Sequence, residues 1–277
     1  MATNIHADIT NQIIEEIETK RALPWVKNWK DEPFLPPLNP SSNRQYNGIN
    51  IVILWLRAIK VGYASNQWLT YKQSKDINLQ VKKNERGTKI VFFKNLVVDD
   101  KDSDEEKSIP MLRQYSVFNR DQMEGPLSDS EIENNPSDID AFIKSIDFEL
   151  VTGKPAYIPS LNLVKMPPIG NFDDQSSYFA TIFHELIHWT GHESRLDRVS
   201  CTEFGSPEYA FEELIAELGA AFLCAEFGVT AEQRHADYID SFLKLLKDDN
   251  KAIFRAAAAA SKACDYLKQF QVQEGVE

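Results

Sequence analysis

Residues 183–192 read Phe183-His184-Glu185-Leu186-Ile187-His188-Trp189-Thr190-Gly191-His192. On a helix, His184 and His188 lie one turn apart on the same face, so both imidazoles can reach one metal ion while Glu185 occupies the neighbouring sector. This is H-E-x-x-H, the spacing of the zinc proteases. Zinc takes neutral imidazole readily, and three protein ligands leave a fourth position at which a water becomes acidic near neutrality. Glu185 is then the expected general base. The local signals agree on a helix: Asp173 and Asp174 offer N-cap oxygens, apolar residues recur at helical spacing from Tyr178 to Trp189, and Gly191 offers a stop. The chain holds five histidines, and three of them fall here at steps of four, which argues against ordinary core histidines.

Two groups compete for the third ligand. His192 continues the ladder of fours but lies beyond Gly191, where the helix is expected to end. The other is Phe211-Glu212-Glu213-Leu214-Ile215-Ala216-Glu217, in a helix that Ser206 caps and Pro207 opens. There Glu213 and Glu217 share one face and Glu212 does not. We expect Glu213 as ligand, because a His, His, Glu set keeps a coordination position open. Glu217 is the carboxylate expected to orient a ligand histidine. The apolar neighbours Leu214, Ile215, Leu218, Ala220, Ala221 and Phe222 bury this helix, and a buried carboxylate needs a partner.

A length of 277 residues suggests two domains, each with its own core. The first residues lack the basic start and apolar run of a signal peptide, and no apolar stretch approaches the roughly 20 residues of a membrane span. Cys201, Cys224 and Cys264 are an odd number without metal-type pairing, which points to a reducing compartment and a cytoplasmic location. Net charge is −12, but unevenly placed: residues 1–125 hold 18 Lys and Arg against 16 Asp and Glu (+2), residues 126–277 hold 12 against 26 (−14). Six of the acids of the first part, against two lysines, fall between Asp99 and Lys107, so the remainder of that part stands at +6. Acidic runs of this kind are most often solvated loops.

Ile9, Ile13, Ile14 and Ile17 predict an amphipathic helix over 7–20. A proline-rich stretch follows, then a helix over 50–60 and a short one to about 77. Val81 to Lys83 and Lys89 to Lys94 are expected to pair across a turn at Asn84-Glu85-Arg86-Gly87, with a strand from Met111 to Phe118 returning after the acidic loop. This predicts an α+β module with a small antiparallel sheet over 1–125. Residues 126–144 read as a linker with a short helix near its end. Strands at 156–159 and 161–166, then helices at the two metal motifs and at about 230–247 and 249–269, give a mostly helical domain with a small sheet over 145–277. The strand at Tyr157 to Pro159 could hold an extended peptide by edge pairing.

The first part also interleaves aromatic and basic residues. Trp25, Trp29, Tyr46, Tyr63, Trp68 and Tyr71 lie in or beside loops carrying Lys27, Lys30, Arg44 and Lys72, and Lys82, Lys83, Arg86 and Lys89 add a basic turn. Single-stranded nucleic acid is bound by such pairings, since bases stack on rings while cations follow phosphates. The same pattern also describes an aromatic core under a solvated lysine rim, and composition leaves both readings standing.

Leu23-Pro24-Trp25, Tyr46-Asn47-Gly48-Ile49-Asn50, Gly62-Tyr63, Trp68-Leu69-Thr70-Tyr71, Gly87-Thr88 and Tyr115-Ser116-Val117-Phe118-Asn119 resemble the amino-terminal domain of the ArdC antirestriction proteins. His184 to His192 with Arg195-Leu196, and Tyr209-Ala210 with Glu212 to Glu217, resemble the zincin domain of the same family. The resemblance covers nearly the whole chain in the family's order. It implies a domain binding single-stranded DNA, followed by a zincin-like, zinc-dependent metallopeptidase domain, in a protein of plasmids and mobile elements that protects incoming DNA from restriction. A DNA-associated protein is the substrate this suggests; a DNA-shielding protein with a purely structural zinc site is the alternative. In one place the chain departs from the family: Lys83-Asn84-Glu85-Arg86-Gly87-Thr88 stands where relatives carry a glycine in place of Asn84. Asparagine tolerates the left-handed conformation, so the turn is expected to survive.

Overall fold

The computed structural model of the chain describes residues 4–26, 34–99, 106–126, 139–198, 205–230 and 238–271. It is an α+β fold. The first part runs α1 (Ile5–Lys20), β1 (Leu38–Asn39), β2 (Arg44–Gln45), α2 (Ile49–Val61), β3 (Trp68–Thr70), α3 (Tyr71–Asp76), β4 (Gln80–Val81), β5 (Thr88–Asp99), β6 (Glu106–Asn119) and β7 (Met123–Glu124). Then come α4 (Ile139–Ser145), β8 (Glu149–Thr152), β9 (Ala156–Ile158), β10 (Leu163–Met166), α5 (Gln175–Thr190), α6 (Pro207–Glu226), α7 (Ile239–Asp248) and α8 (Ala252–Lys268). Among the described residues no helix is long and apolar enough to cross a membrane. Cys224 and Cys264 are buried thiols, and Cys201 lies outside the described residues.

Two compact units form, Pro37–Asp129 and Met1–Pro36 together with Ser130–Glu277. They differ from the expected division in that residues 1–36, with α1, group with the carboxy-terminal helices, and the expected linker is divided between the units at 129 and 130. Thr10 Oγ1 donates to the Asn250 carbonyl at 2.7 Å, and the ion pairs Arg21–Asp240 and Lys247–Glu18 flank it. Ile13, Ile14 and Ile17 form the buried stripe read from the sequence. Periodicity shows that a face is buried, not which element covers it. Residues 127–138 of the expected linker lie outside the described residues.

In the unit 37–129, β3, β6 and β5 form an antiparallel sheet in that order. Leu54 of α2 packs with Tyr46, Trp68, Ile90 and Val117 into its core. Asn50 closes the edge strand β5: its Nδ2 donates to the Val91 carbonyl at 2.8 Å and its Oδ1 accepts from the Val91 N–H at 2.9 Å, satisfying groups an edge would otherwise leave open. The expected pairing of 81–83 with 89–94 is not formed. β4 pairs with β7 instead, and β5 runs along β6 from Thr88↔Val117 to Asp99↔Glu106. Gln122 explains the difference. Its carbonyl accepts the Lys82 N–H at 2.9 Å, and its side chain donates to the Arg86 carbonyl at 3.1 Å and to Glu85 at 2.7 Å, so the segment between β4 and β5 is tied to the end of β6. Asn84 does take the left-handed conformation, at φ +67°.

In the other unit, β10 pairs parallel with β8 and antiparallel with β9, which is an edge strand beside α5. β8 carried no clear sequence signal; Glu149 and Leu150 are exposed, so the strand lacks a buried alternation. The α5 helix begins at Asp174, whose Oδ1 accepts from the Ser177 N–H at 2.6 Å, and α6 begins at Ser206 with Pro207 as its first residue. The two helices touch at Gly219, where an added Cβ would lie 2.7 Å from the Ile187 side chain. A glycine there lets the backbones approach and sets the glutamates of α6 against the histidines of α5. Phe142, Phe183 and Phe227 pack ring on ring below, with centroids 4.6–6.2 Å apart.

Candidate metal centre

His184 and His188 point the same way from consecutive turns of α5, their Nε2 atoms 3.1 Å apart. Glu213 sits astride them, with Oε2 3.5 Å from His184 Nε2 and Oε1 3.5 Å from His188 Nε2. Among the described residues these three form a group whose ligand atoms all lie within 4.8 Å of one another. Ligands about 2.0–2.1 Å from a tetrahedral zinc are about 3.3 Å apart, so separations of this size suit a small divalent ion.

Around this triangle each imidazole turns its other nitrogen to a carboxylate. His188 Nδ1 lies 3.2 Å from Glu212 Oε1, and His184 Nδ1 lies 3.8 Å from Glu217 Oε1, the second being an ion-pair distance rather than a hydrogen bond. An acceptor at Nδ1 fixes the tautomer that leaves Nε2 for a metal. Helical spacing puts Glu212 off the face of Glu213, and it is the far nitrogen of His188 that it meets. Arg198 holds it in place with a two-pronged contact, Nε to Oε2 at 2.9 Å and an Nη to Oε1 at 3.0 Å, and also donates to the Ile187 carbonyl at 2.7 Å. Burial alone would lower the His188 pKa, but Glu212 and Glu213 outweigh it and hold the metal-free ring protonated well above its usual range. Burial would raise Glu213, and the two histidines instead hold it well below the carboxylate range.

Glu185 is buried next to His184, and its Oε2 accepts the Tyr157 N–H of β9 at 2.7 Å. That donor is thus not open to a peptide laid along the edge strand. Arg195 braces the strand from the other side, stacking 3.8 Å above Trp189 and donating to Tyr157 Oη at 3.4 Å. His192 turns away: its Nδ1 lies 2.8 Å from Ser194 Oγ. One turn before Glu213, burial pushes the Tyr209 hydroxyl pKa up, with Tyr238 and Glu213 adding to it, so it stays a donor.

The residues expected at a nucleic-acid surface divide into two sets. Trp25 and Trp68 are each 1% exposed and Tyr46 is buried, its hydroxyl donating to the Trp68 carbonyl at 3.0 Å; Tyr63 is half-buried, edge-on to Trp68. Large rings are what small cores are built from: Tyr46, Trp68 and Tyr63 serve the core of the unit 37–129, and Trp25 is buried in the other unit. Arg44, Tyr71, Lys72, Lys82, Lys83, Arg86 and Lys89 are exposed. Tyr71, Lys82, Lys83 and Phe118 line a basin of about 580 Å³. Lys27, Trp29 and Lys30 lie outside the described residues.

A buried H-E-x-x-H helix crossed by a glutamate helix, with an edge strand beside it, is the arrangement of a zincin-like protein. The family model of a zincin-like metallopeptidase matches residues 137–259, and that of the N-terminal domain of anti-restriction factor ArdC matches residues 3–118. Crystal structures of the antirestriction ArdC protein from the R388 plasmid superpose on the chain with TM-scores of 0.84 (metal-free) and 0.81 (Mn(II)-bound), at 38% and 37% identity and covering 98% of this chain and 99% of theirs. An uncharacterized protein of Sinorhizobium fredii, y4eC, is 36% identical over 96% of this chain and 92% of its own length. DNA primase TraC of Escherichia coli is 35% identical over 97% of this chain, which spans 28% of TraC. The chain belongs to the ArdC antirestriction family.

Proposed function

We propose that the chain is an antirestriction protein that binds single-stranded DNA through its amino-terminal domain (about residues 1–125) and hydrolyses a DNA-associated protein through its carboxy-terminal one, in the cytoplasm. The convergence of His184, His188 and Glu213 beside a backbone-anchored Glu185 carries the peptidase reading. Two imidazoles and one carboxylate suit zinc, and the Mn(II)-bound R388 ArdC crystal structure supports a divalent ion in this family. When bound, such an ion polarises a carbonyl and makes a water more acidic. Glu185 keeps one oxygen on the Tyr157 N–H and offers the other as proton acceptor. In hydrolysis the water oxygen bonds to the peptide carbonyl carbon, its proton passes to Glu185 and on to the leaving amine, and the C–N bond breaks. Glu212 and Glu217 would hold the ring tautomers and Arg198 would hold Glu212. The charge division supports DNA on the first part: +2 against −14, or +6 without the acidic loop, favours phosphate there and repels it from the rest.

Metal analysis of the purified protein tests the ligand set. We expect about one zinc per chain, lost in His184→Ala, His188→Ala and Glu213→Ala and kept in His192→Ala. Zinc loss in His192→Ala but not in Glu213→Ala would overturn the assignment.

A further inference from the structure

The β5–β6 register places Ile90 opposite Tyr115 and Phe92 opposite Arg113. Facing pairs share a face of the sheet, as do residues two apart, so Ile90, Phe92, Arg113, Tyr115 and Val117 lie on one side. Ile90 and Val117 are core there. One step along the ribbon the core ends, and Phe92 and Tyr115 stand 48% and 42% exposed, edge to face with centroids 5.3 Å apart. With Asn39, Tyr46, Gln73 and Arg113 they line a groove of about 420 Å³. That volume lies within the range of small-ligand sites.

The polar groups narrow the occupant. Gln73 Oε1 accepts from the Thr70 N–H and hydroxyl at 2.9 Å each and from Asn39 Nδ2 at 3.3 Å. The backbone donor fixes which end of the Gln73 amide is oxygen, so its Nε2 carries the spare donors. Arg113 is exposed, and among the described residues no carboxylate lines the groove. Flat apolar rings, spare amide donors and an uncompensated guanidinium match a planar, hydrogen-bond-accepting, anionic ligand. A protein docking on two exposed rings would not call for that charge.

We propose that this groove is a nucleobase subsite: one unstacked base of single-stranded DNA lies against Phe92 and Tyr115, with a hydrogen bond from Gln73 and its phosphate near Arg113. This rests on the single-stranded-DNA reading above and moves the contact from the predicted tryptophans to the ribbon. Every base has a stacking face and an acceptor on its edge, so the site is sequence-tolerant.

The test is an anisotropy titration of the full-length protein against labelled oligo(dT) of on the order of ten nucleotides and against an abasic oligomer of equal length. Phe92→Ala and Tyr115→Ala should each weaken oligo(dT) binding about 5- to 150-fold and leave the abasic Kd unchanged, whereas Phe92→Tyr and Tyr115→Phe, which keep a ring, should bind as wild type does. Arg113→Ala should lower the slope of log Kd against log salt by about 0.7, one phosphate contact on a single strand. Wild-type protein that does not bind oligo(dT) overturns both the DNA reading and the subsite. Wild-type binding retained in full by both ring variants overturns the subsite alone, as does equal weakening towards the abasic oligomer.

Discussion

Around His184 the ionisable groups are buried or nearly so, and each faces a partner: Glu213 between two histidines, Glu212 between His188 and Arg198. Around Phe92 the rings are nearly half exposed, and among the described residues lining the groove Arg113 is the one cation and none is a carboxylate. The contrast is one of desolvation. Removing one member of a buried ionic set strands the others, whereas removing an exposed ring strands nothing in the folded protein. Changes at the centre should therefore disturb metal, fold and chemistry together, and changes on the ribbon should disturb binding alone.

Glu185→Gln breaks that rule in an informative way and carries the largest effect. It keeps the shape and the acceptor for the Tyr157 N–H while removing the proton acceptor. Metal content should stay at the wild-type level, and cleavage of a DNA-bound protein, followed with single-stranded oligonucleotide present at low salt, should slow by about 10²- to 10⁴-fold. Zinc lost along with activity would mean that Glu185 is a ligand. Wild-type protein that cleaves no DNA-associated protein would favour the DNA-shielding alternative.

Arg198→Ala sharpens the comparison from the structural side. The Arg198 and Glu212 side chains are each 13% exposed, so the pair is largely though not fully buried, and truncating one partner costs about 3 kcal/mol, the low end for a buried pair. For a chain of this size that lowers Tm by roughly 10 °C. Metal affinity should fall about 10- to 100-fold as His188 loses its brace. Arg198→Lys should recover little, because an ammonium cannot span both Glu212 oxygens. Unchanged melting with unchanged metal content would show that the network is dispensable.

These differences also explain what could be read from the sequence. The His184–His188 spacing, the Asp174 and Ser206 caps and Pro207 are local, and local geometry is set by the helix itself. Glu212 escaped because a histidine has two nitrogens pointing opposite ways: the metal side calls for Glu213, and the far side of His188 reaches a position about 100° around α6. Its brace, Arg198, comes from a loop with no periodicity to betray it. On the ribbon the missing information is pairing. β4 meets β7 about 40 residues on, and nothing near Val81 says that its partner is Met123 rather than a residue of β5. Trp25 and Trp68 show the limit of composition, since a ring that fills a core and a ring that stacks on a base are the same residue.

The smallest effect is expected at Lys83, which tests whether the basic turn behaves like the ribbon or like a mere rim. Lys83 is exposed and makes no hydrogen bond or ion pair among the described residues, so Lys83→Ala should change stability by no more than about 0.5 kcal/mol. Its basin also holds Tyr71 and Lys82, but Glu85 and Glu124 line it too, so the two lysines are locally balanced by two acids. A strand passing there gains one screened phosphate contact. Oligo(dT) affinity should drop only a few-fold and the salt slope by about 0.7, while the abasic oligomer should be affected equally, since a lysine reads phosphate and not bases. That equal loss is the opposite of the Phe92→Ala signature. A salt slope identical to wild type would take the basin off the path of the DNA and confine binding to the ribbon, and a melting shift as large as that of Arg198→Ala would make Lys83 structural.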